Sequence, residues 1–308
     1  MAGSTGDLDF VLNKLKWMQD ERIWPNGLRY LWTDAFGLVL YVSLARALGD
    51  ESWLDRAEQI VADVDRVLAR PRGYRIGEAP DRDGQYFHYL AMWLFALGRL
   101  GEHRPAYRDK AVGLARDVHT AFVLPGSGVV WKMLEDLSGP YPGYGLGALD
   151  AFNGYVAYRS VDAKALAPEI AEMSALIEKT WRDLDIVQDL GLGMMLWLSA
   201  HAPDEPWAAL QAKRSLAVLD TMWIDPPGYF CRHPAQREVR FAFTNYGVCL
   251  GLQAQDAWPD RVECLNRYFD TYRSGDHYDH DAITHVMACT SRWPNAFLDG
   301  AVPSVGVT

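Results

Sequence analysis

Three aspartates recur in one setting along this chain. Asp34-Ala-Phe, Asp150-Ala-Phe and Asp281-Ala-Ile each lead into an apolar stretch. Asn245 takes the matching place in Thr244-Asn245-Tyr246-Gly247, beside Thr33-Asp34-Ala35-Phe36-Gly37. Asp189 opens a further apolar stretch, and His88 lies near the start of another. Carboxylates that converge in pairs do acid–base work: one donates a proton, the other acts as base or nucleophile, and different surroundings set their pKa values apart. That is the chemistry of glycosidic bond cleavage. A histidine among them adds a proton carrier that works near neutral pH.

Each Asp also fits a structural role, because a carboxylate at a helix start satisfies free N–H groups and complements the dipole. Asp189 and Asp281 fit that role best. Asp34 and Asp150 are followed by runs such as AFGLVLY and are expected a turn or more inside their helices. A buried carboxylate there needs a partner, a water-filled cavity or a substrate. These two are the first choice for catalytic carboxylates. His88 follows a loop holding Glu78, Asp81 and Asp83, and acts either as a proton shuttle or as a histidine bonded to a neighbouring helix.

The segment Asp276-His277-Tyr-Asp279-His280-Asp281 is dense in histidine and carboxylate, with His285 one turn after Asp281. Spacing i, i+4 lets Asp281 and His285 pair on one helix face. The spacing matches no metal motif and HExxH is absent, so no metal and no cofactor is expected. His280 and His285 instead offer acid–base or substrate contacts. Trp32, Tyr86, Tyr89, Trp131, Tyr144 and Tyr246 supply the aromatic walls of a small-molecule site, unless they only pack between helices.

The positions of these residues follow from a repeat. Six segments are apolar or small nearly all round, the mark of helices buried on most sides. They begin near Leu28, Tyr86, Tyr144, Asp189, Phe241 and His280. Between them lie helices with one polar face: Glu51 to Leu68, Pro105 to Phe122, Asp162 to Trp181, Pro206 to Trp223 and Pro259 to Tyr272. In the first, Trp53, Ala57, Ile60, Val61, Val64 and Leu68 show the helical i, i+3, i+4, i+7 spacing. An amphipathic segment from Leu8 to Asp20 supplies a sixth outer member, as a closed ring of hairpins requires. Short hairpin strands are expected near Gly73, Gly128 and Gly228, and Gly191-Leu-Gly193 reads as close helix packing.

Loops leaving an inner helix are short. Several returning ones are long: Arg70 to Gln85, Val123 to Gly143, Ile224 to Arg240 and Tyr272 to Asp279. Long loops in compact domains are usually functional, and these fall at the N-terminal ends of the inner helices.

As a pattern, nearly the whole chain resembles the six-hairpin or (α/α)6 toroid, so the fold expected is all-α, one domain over residues 1–308. That architecture is shared by many glycoside hydrolases, unsaturated glucuronyl hydrolases, N-acylglucosamine 2-epimerases and a terpenoid dehydratase-isomerase. The resemblance implies a carbohydrate-active enzyme, first a glycoside hydrolase acting on a short saccharide. An epimerase or isomerase with His88 and His280 or His285 as proton carriers is a second reading. A dehydratase or cyclase for an apolar alcohol, lined by Phe36, Met92 and Met195, is a third, and a binding scaffold a fourth.

Composition narrows the classes further. A net charge of −10 lacks the basic face that nucleic acid requires. No signal peptide and no uninterrupted apolar span is present, so neither membrane nor export is expected and the location expected is cytoplasmic. Cys231, Cys249, Cys264 and Cys289 have no Cys-x-x-Cys spacing and read as reduced thiols. Motifs for nucleotide phosphates or a serine nucleophile are missing.

Overall fold

Sequences that are apolar all round become inner helices, and those with one apolar stripe become outer ones. The structure, a computed structural model, describes residues 5–223, 230 and 242–306. Twelve α-helices carry the described residues, with strand confined to four two-residue pieces. The expected hairpin near Gly228, most of the loop from Ile224 to Arg240, and Cys231 lie outside the described residues.

The chain divides into two compact units, Leu28–Leu184 and Met1–Gly27 with Asp185–Thr308. In the first, α2 (Leu31–Leu48), α4 (Phe87–Gly101) and α6 (Asp150–Asp162) are the inner helices, with α2 against α4 and α4 against α6. Their outer partners are α3 (Ser52–Leu68), α5 (Ala106–Phe122) and α7 (Ala167–Thr180). In α2 every residue from Leu31 to Ala45 is buried. This helix has the length and apolarity to cross a membrane, yet 83% of it is buried within the protein, as in a core helix. In α3 only Trp53, Leu54, Ala57, Ile60, Val61, Val64 and Leu68 are buried, the stripe its spacing predicts.

The second unit repeats the plan. Inner helices α8 (Asp189–His201), α10 (Phe243–Ala254) and α12 (Ala282–Arg292) pack in series. Outside them lie α9 (Ala208–Met222) on α8 and α11 (Pro259–Thr271) on α10. The N-terminal helix α1 (Thr5–Asp20) packs on α12, so it does serve as an outer member. Glycine sets how closely α8 and α10 approach: a Cβ on Gly193 would stand 2.5 Å from the Gly247 carbonyl oxygen.

Two long loops of the first unit are tied into small ladders. β1 (Gln85–Tyr86) pairs antiparallel with β4 (Lys132–Met133), and β2 (Val123–Leu124) with β3 (Gly128–Val129). The expected strand at Gly73 is reduced to one bridge between Ala69 and Tyr74. Side chains replace a ladder there. Asp83 Oδ1 accepts from the amides of Ile76, Gly77 and Gly84, and Arg75 donates to Oδ2. The buried Gln85 amide bonds Tyr74 N, Arg72 O and Glu135 O. Asp83 and Gln85 thus hold the loop that delivers Tyr86 and His88.

Candidate active site

In the first unit the ladder β1–β4 ends where α4 begins, which fixes Tyr86, His88 and Tyr89 at the helix start. Asp150 begins α6, which packs on α4. The Nδ1 of His88 lies 3.6 Å from Asp150 Oδ1. Asp150 is buried, and this oxygen has no hydrogen-bond partner among the described residues. The α6 N-terminus gives the carboxylate a favourable field. Asp150 stands at the first helical residue, not a turn inside: three more loop residues, Gly147 to Leu149, follow Leu146 before the helix begins. Gly147 is what admits it, because a Cβ at that position would collide with Asp150 Oδ2.

Aromatic rings surround His88. Tyr89 meets it edge-on at 4.8 Å between centroids, Tyr86 lies at 5.2 Å, Trp32 at 6.1 Å and Trp131 is stacked at 6.2 Å. Trp131 is 40% exposed and leans on Tyr144. The imidazole keeps 23% of its side-chain surface, so it is reachable while its carboxylate partner is not. Tyr30 and Tyr89 share a hydrogen bond of 2.7 Å between hydroxyls. Burial pushes the Tyr30 phenol up to about 12 and that of Tyr89 well above its ordinary value. Both are neutral donors at physiological pH.

Asp34 has a different setting. It is the fourth residue of α2, fully buried, with Arg29 Nη1 3.2 Å from its Oδ1 and the guanidinium itself 4% exposed. The partner that a buried carboxylate needs is thus a charged residue just ahead of the helix. Glu135 and Asp136 are likewise structural: the first pairs with Arg70, the second accepts from Ser138 N. Phe36, Met92 and Met195 are core residues of their units, each at most 2% exposed.

The remaining candidates belong to the second unit. Asp189 Oδ1 accepts from Leu190 N at the start of α8, a helix-end role. Asn245 is the third residue of α10 and is buried. Tyr246 is buried against Phe269, and burial drives its phenol well above the ordinary range. His280 is exposed, its ring 6.2 Å from Trp17. Asp281 does not pair with His285. It precedes α12 with extended backbone, φ −70° and ψ 116°, so the helical i, i+4 relation does not apply. Its carboxyl is raised chiefly by burial. His285 instead hydrogen-bonds the Asp279 carbonyl through Nε2 at 2.7 Å, packs edge-on to Trp17, and is pushed down to about 4 by burial. Cys249 and Cys289 are buried and form no disulfide among the described residues, and burial raises Cys289 to about 12. Among the described residues no three His, Cys, Asp or Glu side chains gather as a metal site.

Sequence reasoning missed Arg29, Lys132 and Gly147. Arg29 and Lys132 are single charges inside the apolar runs LRYLW and VVWKM, and that was the available signal. Lys132 is 1% exposed and lies over the rings of Tyr86, Tyr141 and Tyr144.

No family model and no curated protein matches the chain. A solved sugar epimerase from a ruminal bacterium is similar over 87% of this chain and 75% of its own, with 13% identity and a TM-score of 0.51. Cellobiose 2-epimerase from Bacillus thermoamylovorans B4167 aligns over 84% and 74%, with 10% identity and a TM-score of 0.47. The first of these likenesses shows the fold, which is all-α and of the six-hairpin (α/α)6 toroid class.

Proposed function

We propose that this protein is a sugar epimerase or isomerase that moves a proton at the carbon beside the carbonyl of a small reducing saccharide. The observation that carries this reading is the His88–Asp150 pair: a reachable imidazole with a buried carboxylate 3.6 Å from Nδ1. A carboxylate on that side favours the tautomer with hydrogen on Nδ1 and leaves Nε2 as the base. The base takes the C2 proton of the ring-opened aldose, and Asp150 compensates the imidazolium charge. Electrons from the C–H bond pass to the carbonyl oxygen, where a neutral phenol such as Tyr89 is a suitable donor. For the epimer, solvent water protonates the other face of C2, Tyr89 takes its proton back from the oxygen, and His88 releases its proton to solvent. For the ketose, His88 returns its proton to C1 while the C2 hydroxyl gives its proton to the Tyr89 phenolate.

Glycoside hydrolysis, the first expectation, is supported less well. It needs two carboxylates in contrasting surroundings flanking the scissile bond. Asp34 is fully buried against Arg29, so of the two carboxylates chosen first only Asp150 lies beside the reachable imidazole. The similar solved structure from a ruminal bacterium is named a sugar epimerase, in keeping with proton transfer.

The test is proton NMR of the protein with a panel of reducing mono- and disaccharides in deuterium oxide. We expect the C2 proton signal to fade as epimer or ketose grows, with nothing released, and His88→Ala to slow this by about 10²- to 10⁴-fold. Cleavage of a glycoside, or no exchange with any sugar, would refute the reading.

A further inference from the structure

Lys132 is a buried cation that neither the helical core nor the His88–Asp150 pair requires. Its ammonium donates to the Arg82 carbonyl at 2.6 Å and lies 3.4 Å from Glu78 Oε2. The rest of its surroundings are ring faces: Tyr141 at 4.4 Å, Tyr86 at 4.7 Å and Tyr144 at 5.1 Å from the nitrogen to each centroid. An ammonium is strongly hydrated, so its burial is tolerated only where hydrogen bonds, a counter-charge and negative ring faces replace water.

The backbone is shaped to hold it there. Lys132 is the register partner of Tyr86 in the β1–β4 ladder, and its carbonyl accepts from Tyr141 N at 2.9 Å. Gly84 leaves room for the side chain, since a Cβ there would stand 3.1 Å from Lys132 Cε and 2.6 Å from the Met133 carbonyl. Two of the rings held by the cation continue into the site. Tyr86 packs on His88 at 5.2 Å, and Tyr144 packs on the exposed Trp131 at 5.3 Å.

We propose that Lys132 is a positioning residue for the His88 site, its buried charge clamping Tyr86 and Tyr144 so that the aromatic wall presents the sugar to the imidazole at a fixed angle. This rests on the proton-transfer reading of that site. A residue that only filled space here would need length and no charge, and methionine would serve as well. A clamp needs the cation.

The full-length chain would be compared with Lys132→Met and Lys132→Arg by deuterium exchange at C2 and by the NMR signal of the His88 ring. We expect Lys132→Met to lower kcat by about tenfold with KM changed by less than about twofold, since a slightly misplaced substrate still binds but reacts poorly. Lys132→Arg should recover most of the rate. The His88 ring signal should shift in the Met variant and return in the Arg variant. Wild-type kcat in Lys132→Met, or a loss matched by the unfolded fraction alone, would overturn the proposal. Lys132→Gln guards against misfolding of the Met variant: it keeps a donor for the Arg82 carbonyl and removes the charge. A folded Lys132→Gln protein with unchanged kcat would also overturn it. If the wild type exchanges no deuterium with any sugar, the proton-transfer reading falls on its own. The His88 signal then still decides, because an unmoved signal in Lys132→Met sinks the clamp.

Discussion

His88 is the second residue of α4 in one unit and His285 the fourth residue of α12 in the other, so both imidazoles lie in the first turn of an inner helix. Their surroundings differ in three respects. His88 has a carboxylate near Nδ1; His285 has a backbone carbonyl on Nε2. His88 keeps part of its surface, while His285 is 7% exposed. Cations gather near His285, where Lys14, Arg273 and His280 each add to the burial that drives it down to about 4. A carbonyl can hold a neutral imidazole in place, but it offers little to an imidazolium. A carboxylate compensates the charge that a base acquires when it takes a proton. The comparison teaches that the partner, more than the helix position, decides whether a histidine in this fold is suited to carry protons.

The largest effect should come from removing that partner. Asp150→Asn keeps the shape of the side chain and takes away the charge, leaving His88 with a neutral neighbour much as His285 has. We expect kcat for deuterium exchange at C2 to fall about 100-fold, with KM nearly unchanged, because the lost interaction is made with the imidazolium. Steady-state NMR assays on the purified variant would check this. An unaltered kcat would break the comparison at its centre, since His88 would then work without a carboxylate.

The sequence made the helices legible and the partners much less so. The run LRYLWTDAFGLVLYVSLARALG is apolar on every side and becomes α2, buried from Leu31 to Ala45; the spacing of Trp53 to Leu68 becomes the buried stripe of α3. These patterns need only the helical period. Which residue starts a helix depends on how a loop ends, and periodicity does not encode that. Hence Asp150 stands at the first residue of α6, and Asp281 falls just outside α12, away from His285. Arg29 meets Asp34 from a loop, and Lys132 meets Tyr86 across a ladder of two residues. Such contacts join positions that no local pattern links. The aromatic group Trp32, Tyr86, Tyr89, Trp131 and Tyr144 was readable as types and places, and its assembly around His88 was not.

A second prediction concerns the other histidine and reads stability. Above about pH 6.5 the His285 imidazole is neutral in both folded and unfolded chains, so its burial is uncharged and its contribution is fully present. Between that value and about 4, the unfolded chain takes up a proton that the folded one refuses. Stability therefore falls as pH falls through this window, by on the order of 3 kcal/mol in total, and the loss is complete below the folded pKa. Urea unfolding at several pH values from 7 to 4 should show a steeper decline for wild type than for His285→Gln, which keeps an N–H donor for Asp279 and cannot titrate. Parallel declines would mean that His285 is open enough to protonate in the folded state, and the contrast with His88 would shrink.

The smallest expected change tests the geometry of the pair without altering its chemistry. Gly147→Ala places a methyl group where Asp150 Oδ2 now lies, so the carboxylate must rotate or the loop must shift. Overpacking of this kind costs about 1–3 kcal/mol, and a loop glycine next to a helix start should sit toward the lower end because the loop can yield. Both residues of the pair remain, so any loss of rate beyond the unfolded fraction reports the His88–Asp150 placement alone. We expect kcat to drop about fivefold, well short of the Asp150→Asn loss, since a displaced carboxylate still screens the imidazolium. Thermal melts give the stability change and C2 exchange gives the rate. A rate that held while stability fell would mean that the 3.6 Å spacing has slack, and that the charge of Asp150 matters more than its position.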